Sequence, residues 1–227
     1  MNKSELRKQK RAWSLRETKN QPEKALLILQ QLSLTAAALS NWSDVFDISI
    51  DETICWNNLG KRDHKQIYFT KALDKLKFAE KLIDKYKLEK PQIYYYYAEV
   101  YFATEQFKNA LKHYERYLQL AKLSQSATGN INRHIAEALF NLHQTDQANI
   151  LFHRSLKQIR TYDENHPSLA YVWESGALVA LAKIQVNPQT KYKYLNEAKE
   201  IAIKHNLGGR LEEISKLIKE TDLSSKM

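Results

Sequence analysis

Apolar residues recur along this chain at intervals of three and four, with charged residues filling the positions between them. Ala25, Leu29 and Leu32 fall on one face, as do Leu211, Ile214, Leu217 and Ile218 near the other end. That spacing marks amphipathic helices. It predicts about eleven of them, near residues 3–18, 22–39, 43–60, 64–88, 91–104, 107–123, 129–143, 145–160, 167–186, 189–205 and 209–221. Glycine and proline are scarce, at 5 and 4 copies in 227 residues, so a sandwich, barrel or doubly wound α/β fold lacks the turn residues it needs.

Within the helical pattern a longer period stands out. Gly60, Ala98 and Ala136 are spaced by 38 residues, and each is followed twelve residues later by an alanine, at Ala72, Ala110 and Ala148. The surroundings recur too. First helices read Trp56-x-x-Leu59-Gly60, then Tyr94-x-x-Tyr97-Ala98-x-x-Tyr101, then Ile135-Ala136-x-x-Leu139. Second helices read Ala72-x-x-x-Leu76-x-x-Ala79, Ala110-x-x-x-Tyr114-x-x-Tyr117 and Ala148-x-x-x-Phe152-x-x-Ser155. A fourth copy runs from Trp173-x-x-Gly176-Ala177-x-x-Ala180 to Leu195-x-x-Ala198, about two residues longer inside. Two antiparallel helices approach closely only where one presents Gly or Ala, and a single such hairpin cannot bury its apolar faces alone. Several must stack.

This pattern resembles the tetratricopeptide repeat (TPR), W-x-x-L-G-x-x-Y followed by A-x-x-x-F, over about residues 53–205. His166-Pro167-Ser168-Leu169-Ala170 is similar to the opening of the longer repeats in kinesin light chains. There are departures: a period of 38–41 residues, Asp63 in place of the first copy's tyrosine, and no helix-break glycine between helices. The resemblance implies an all-α, right-handed superhelical solenoid of antiparallel hairpins. Residues 1–227 are read as a single domain, with 1–40 a degenerate first hairpin, 43–205 the repeats and 209–221 a capping helix. In the first hairpin Trp13 stands where the small residue is expected, and Gly208-Gly209 reads as a helix stop through a left-handed glycine.

Net charge is +9, from 35 Lys/Arg and 26 Asp/Glu, and it is uneven. Residues 1–24 hold eight basic side chains against three acids, and residues 25–60 hold Asp44, Asp47, Asp51 and Glu52 with no basic residue. Residues 61–90 return to ten basic and five acidic. Basic stretches raise the prospect of a polyanionic partner; lysines on solvated helix faces are the plainer reading. A mean hydropathy of −0.59, the absence of a run of about 18 apolar residues and a charged N-terminus lacking the apolar stretch of a signal peptide point to a soluble protein with no membrane partner. The single cysteine, Cys55, fits a reducing, cytoplasmic setting.

Chemistry is scarce. The seven histidines form no HExxH and no i,i+4 pair, Cys55 sits on an apolar helix, and no phosphate loop or nucleophile elbow is present. No enzyme, metal or cofactor is expected. The aromatics carry more. Tyr94-Tyr95-Tyr96-Tyr97 cannot share a helix face; Tyr94, Tyr97 and Tyr101 follow the core spacing, and Tyr95 groups with Glu99 and Phe102. In TPR proteins that second face lines the concave groove. The resemblance therefore implies a partner-binding groove around Asn57, Lys61, Tyr95, Glu99, Phe102, Arg133, Glu137, Phe140 and Asn141, with Tyr171, Glu174, Leu178 and Leu181 the matching face of the last copy. Phe102 and Phe140 also suit packing between hairpins, and the charges also suit pairing with one another. The Lys/Asn/Arg clamp that some family members use for a terminal carboxylate is matched only in part by Asn57, Lys61 and Arg133, and Tyr96 stands where an asparagine is expected. A protein- or peptide-binding scaffold follows. The alternatives are a nucleic-acid binder using segments 3–24 and 61–90, or a peptide-sensing regulator with a small effector surface in residues 1–40.

Overall fold

The starts of four helices follow a local rule. Asn41 accepts a hydrogen bond from the Asp44 N–H at 3.2 Å, Ser124 from Ala127 at 3.2 Å and Asn187 from Thr190 at 3.0 Å, while Pro22 and Pro188 occupy first helical positions that need no donor. The result, in a computed structural model that describes residues 3–17, 19–162 and 167–224, is eleven helices and, among the described residues, no strand. They are α1 (Lys3–Glu17), α2 (Pro22–Ala38), α3 (Trp42–Asp63), α4 (Gln66–Tyr86), α5 (Gln92–Ala103), α6 (Phe107–Leu120), α7 (Gln125–Asn141), α8 (Thr145–Ile159), α9 (Pro167–Ile184), α10 (Pro188–Lys204) and α11 (Gly208–Ser224). The largest boundary shift from the sequence reading is at α7, which begins at Gln125 rather than near 129 because Ser124 caps it. Gly129 thus lies inside the helix. His166 of the His-Pro motif lies outside the described residues.

The chain divides into two compact units, Met1–Leu120 and Ala121–Met227. In the first, α1/α2, α3/α4 and α5/α6 pair as hairpins, and α3 also meets α2 and α5. In the second, α7/α8 and α9/α10 pair, and α11 closes on α10 and α9. The repeat alanines and Gly60 are all buried, with Ala72, Ala98, Ala110, Ala136, Ala148, Ala177 and Ala198 at zero exposure. The bulky partners Phe46, Leu59, Leu76, Tyr114 and Phe152 fill the space around them. In α1 the small residue is Ala12, buried, while Trp13 points to solvent; the first hairpin therefore keeps the small-residue contact one position earlier than the sequence reading put it.

Turns solve the missing-glycine problem in one way. Ser40, His64, Lys87, Glu105, His143, Tyr162 and Asn206, together with Asn20, take positive φ between 45° and 61°, and no glycine does. After several of them the next N–H returns to a carbonyl of the last helical turn, as in Asn41 to Ala36 at 2.9 Å, Gln106 to Tyr101 at 2.9 Å, Gln144 to Leu139 at 3.0 Å and Leu207 to Ala202 at 2.8 Å. These bonds satisfy end carbonyls that would otherwise be orphaned. Asn206, not Gly208-Gly209, is the left-handed stop after α10; the two glycines open α11. Asparagine visits that region more readily than most residues.

Two stability tests follow. His143 is exposed and left-handed at φ 61°, so His143→Gly removes a steric cost of about 1–2 kcal/mol and adds unfolded-state entropy of about 0.4–1 kcal/mol. A net gain of about 0.5–1 kcal/mol in denaturant unfolding is expected. Gly129→Ala runs the other way. Its Cβ meets the Ser155 carbonyl oxygen and the Ile159 nitrogen at 2.8 Å, backbone atoms that cannot swing aside, so a loss of about 1–3 kcal/mol is expected despite alanine's better helix propensity.

Candidate functional site

On α3, residues 53, 57 and 61 and residues 54 and 58 share stripes one turn apart; on α5, so do 95 and 99, and 96 and 100. Because α3 packs against α5, the two sets meet across a cleft of about 270 Å³ lined by Thr53, Ile54, Asn57, Asn58, Lys61, Tyr95, Tyr96, Glu99 and Val100. Four of the expected groove residues, Asn57, Lys61, Tyr95 and Glu99, are therefore neighbours in the first unit. Asn57 is only 6% exposed, and among the described residues its side-chain oxygen has no hydrogen-bond donor. Glu99 accepts the Tyr114 hydroxyl at 2.5 Å. Tyr95 leans edge-on against Tyr96, ring centroids 5.3 Å apart, and is backed by Tyr114 and Tyr117 at 6.1 and 5.8 Å. Tyr95 is fixed by those rings. Burial pushes the Tyr96 hydroxyl up to about 12, which keeps it a neutral donor at physiological pH. Lys61 is exposed at the rim.

Tyr96, Thr53, Ile54, Asn58 and Val100 were not among the expected groove residues. Their signal was the one-turn spacing from residues that were, but only knowing which stripe of α3 faces α5 selects them. Phe102 does not line the cleft. It is half-buried with its ring edge-on to Phe107 at 5.3 Å, across the turn into α6.

The remaining expected residues lie in the second unit. Arg133 donates to Glu137 at 2.7 Å and to Asn130 at 3.2 and 3.3 Å, and its guanidinium also meets the His134 ring. Asn141 donates to the Glu137 carbonyl at 2.8 Å, and Phe140 packs on the core of that unit. Here the pairing of charges is realised. Leu178 and Leu181 are fully buried, and Glu174 is buried between Arg160 at 2.7 Å and the Tyr162 hydroxyl at 2.8 Å, so that face of α9 is packing rather than groove. Tyr171 lies against the His205 ring, centroids 3.6 Å apart.

Beneath the cleft, α3 explains the acidic stretch of the sequence. Asp51 receives the buried Arg16 of α1 at 2.7 Å, Asp47 receives Lys90 at 2.8 Å, and Lys75 of α4 lies 2.6 Å from the buried Glu52, too bent for a hydrogen bond. Lysines from the basic segment 61–90 are consumed further by Trp56, whose ring Lys71 covers at 4.4 Å, and by Asp74, paired with Lys77. Arg62 engages Glu23 and Asp63, holding both carboxylates below their usual range. Cys55 is buried next to this layer, and burial pushes its thiol up to about 12, so it is no nucleophile at neutral pH. Among the described residues no cluster of His, Cys, Asp and Glu could hold a metal ion, and no helix is long and apolar enough to cross a membrane.

A second, more open cleft of about 380 Å³ lies between α5 and α6, lined by Tyr94, Lys112, His113, Glu115, Arg116 and Gln119. His113 stacks on Tyr94, Tyr97 and Tyr101 at 6.0, 5.0 and 5.3 Å, and burial, helped by Lys112, lowers its affinity for a proton. The sign follows. Below about pH 6.5 the unfolded chain takes up a proton that the native chain refuses, so this group withdraws stability as pH falls. Urea unfolding at descending pH should therefore lose stability more steeply in the parent than in His113→Gln.

No protein-family model matches the sequence, and no curated protein matches it either. Solved structures do match. A putative kinesin light chain of Podosopora anserina with nearly identical TPR-like repeats superposes with a TM-score of 0.57 at 17% identity, over 92% of this chain and 94% of that one. BtubC (BKLC) from P. vanneervenii gives 0.48 at 14% identity over 89% and 90%, and the TPR2AB-domain:pHSP90 complex of yeast Sti1 gives 0.41 at 18% over 97% and 86%. With its helix order, hairpin pairing and buried small residues, the chain has the fold of TPR-like repeat proteins.

Proposed function

We propose that this chain is a non-catalytic peptide- or protein-binding module, working in the cytoplasm, whose contact face is the cleft between α3 and α5. The single observation that carries the reading is the Asn57 side-chain oxygen, buried beside the cleft without a donor among the described residues. An acceptor left in that state costs about 1–3 kcal/mol, which a ligand N–H would recover. An extended peptide offers such groups along its length. Around Asn57 the cleft adds Lys61 as a cation at the rim, Glu99 as an acid already oriented by Tyr114, and the rings of Tyr95 and Tyr96 as rigid apolar surface. Charges of both signs favour a ligand of mixed charge over a pure polyanion. Arg133, Glu137, Phe140 and Asn141 are not needed for this reading.

Peptides selected from a random display library on the full chain supply the probe. Lys61→Glu, exposed and harmless to the fold, and Asn57→Ala should each weaken a selected peptide about tenfold or more, and Tyr95→Leu more still. Selected peptides that bind all three variants like the parent, with helical content intact, place binding elsewhere and defeat the proposal.

A further inference from the structure

The basic segments of the sequence meet different fates. In α4 and its flanks, Arg62, Lys71, Lys75, Lys77, Lys85 and Lys90 are engaged by Glu23, Glu52, Asp74, Asp47 and aromatic rings, and Lys61, Lys65, Lys81 and Lys87 are scattered among Glu80, Asp84 and Glu89. In α1, among the described side chains, Arg16 is the cation engaged by an acid. Arg7, Lys8, Lys10 and Arg11 are exposed, and none of their side chains makes an ion pair or hydrogen bond among the described residues. The acids of α1 offer little counter-charge: Glu17 is taken by Arg16 at 2.6 Å, and Glu5 is half-buried with an interaction of its own.

The helical wheel places these cations. Ala12, Leu15 and Arg16 form the buried side of α1. Leu6, Lys10 and Trp13, at i, i+4 and i+7, share a stripe on the outer side, and Arg7 and Arg11 occupy the adjoining stripe one turn apart. Trp13 is 55% exposed and Leu6 45%. An indole held open to solvent beside three unpaired cations combines a stacking surface with a cationic track.

We propose that the outer face of α1 binds a single strand of nucleic acid, with a base stacked on Trp13 and phosphates on Arg7, Lys10 and Arg11. Charge complementarity names a polyanion, and the exposed indole names one with unstacked bases, since base–aromatic stacking is the sequence-tolerant contact of single-strand binders. An anionic membrane fits less well. Interfacial helices present a continuous apolar face, whereas α1 offers two exposed apolar side chains with Lys10 between them. This face is separate from the α3–α5 cleft, and the proposal does not rest on a peptide binding there.

The test uses the full chain and a fluorescein-labelled oligouridylate, read by anisotropy across a salt series. Binding is expected, with log K falling against log salt at a slope of about −2, as three phosphate contacts on a single strand require. Arg7→Glu with Arg11→Glu should abolish it. Trp13→Ala should weaken it at least fivefold and Trp13→Phe should restore most of the loss, while Lys81→Glu on α4 changes nothing. All the substituted side chains on α1 are exposed, so unchanged helical content by circular dichroism confirms that the variants fold. No binding at low salt overturns the proposal. So does binding that is indifferent to Trp13→Ala, a loss on Lys81→Glu as large as that on the α1 charge reversals, or capture by phosphatidylserine vesicles with no uptake of the oligonucleotide.

Discussion

Two helices can lie flank to flank only where neither pushes a side chain between them, and this fold is organised around that limit. Ala72, Ala98, Ala110, Ala136, Ala148, Ala177 and Ala198 have no exposed surface, and Gly60 and Gly129 go further. A Cβ on Gly60 would enter the Phe69 ring at 2.5 Å, and one on Gly129 would meet the backbone of α8. Once these contacts set the spacing, the larger residues one turn away have defined holes to fill, and the pairing of hairpins into units follows. The cleft between α3 and α5 is a by-product of the same spacing: it is the space left where two first helices of neighbouring hairpins run side by side.

Charge is arranged on a different principle. The acidic side chains of α3 are each met by a cation from elsewhere in the chain: Asp51 by Arg16 from α1, Glu52 by Lys75 from α4 and Asp47 by Lys90 just beyond it. Pairs of this kind add little to stability at the surface, and buried ones offset a large desolvation cost rather than exceed it. Their effect is selective. A hairpin placed out of order would bury Asp51 or Glu52 without a cation, which is far costlier than an apolar mismatch. The excess positive charge of the whole sequence is thus partly a set of internal partners, whereas Arg7, Lys8, Lys10 and Arg11 of α1 stay exposed to solvent.

The helices, their hairpin pairing and the small-residue register were legible because each depends on local spacing: a buried alanine every hairpin and a bulky residue one turn on. The misreadings came where one position decides the matter. Ala12 and Trp13 are adjacent, and the pattern set the small-residue position at Trp13 although Ala12 fills it. Gly208-Gly209 looked like a stop because glycine usually is one; the chain stops α10 with Asn206 instead and uses non-glycine residues at every other left-handed turn. Of the candidate groove residues, Asn57, Lys61, Tyr95 and Glu99 share stripes that border one cleft, while Arg133 and Glu137, chosen by the same logic, lie in the second unit, where they hold each other. Side-chain spacing on one helix says which residues share a face; what stands opposite that face is a property of the packing.

In α9 the residues from Glu174 to Ala182 are all buried, around the full circumference of the helix. A segment with no polar side cannot exist on its own in water, and it is covered by α7, α8, α10 and α11 together. Repeat arrays commonly fray from their ends, one hairpin at a time. Here the second unit has little room for that, because peeling away α10 or α11 strips the cover from a helix that water does not tolerate. Its backbone amides would exchange with solvent only when the whole unit opens, and a chain caught in that opened state would present Leu178, Val179 and Leu181 as a bare adhesive strip to its neighbours.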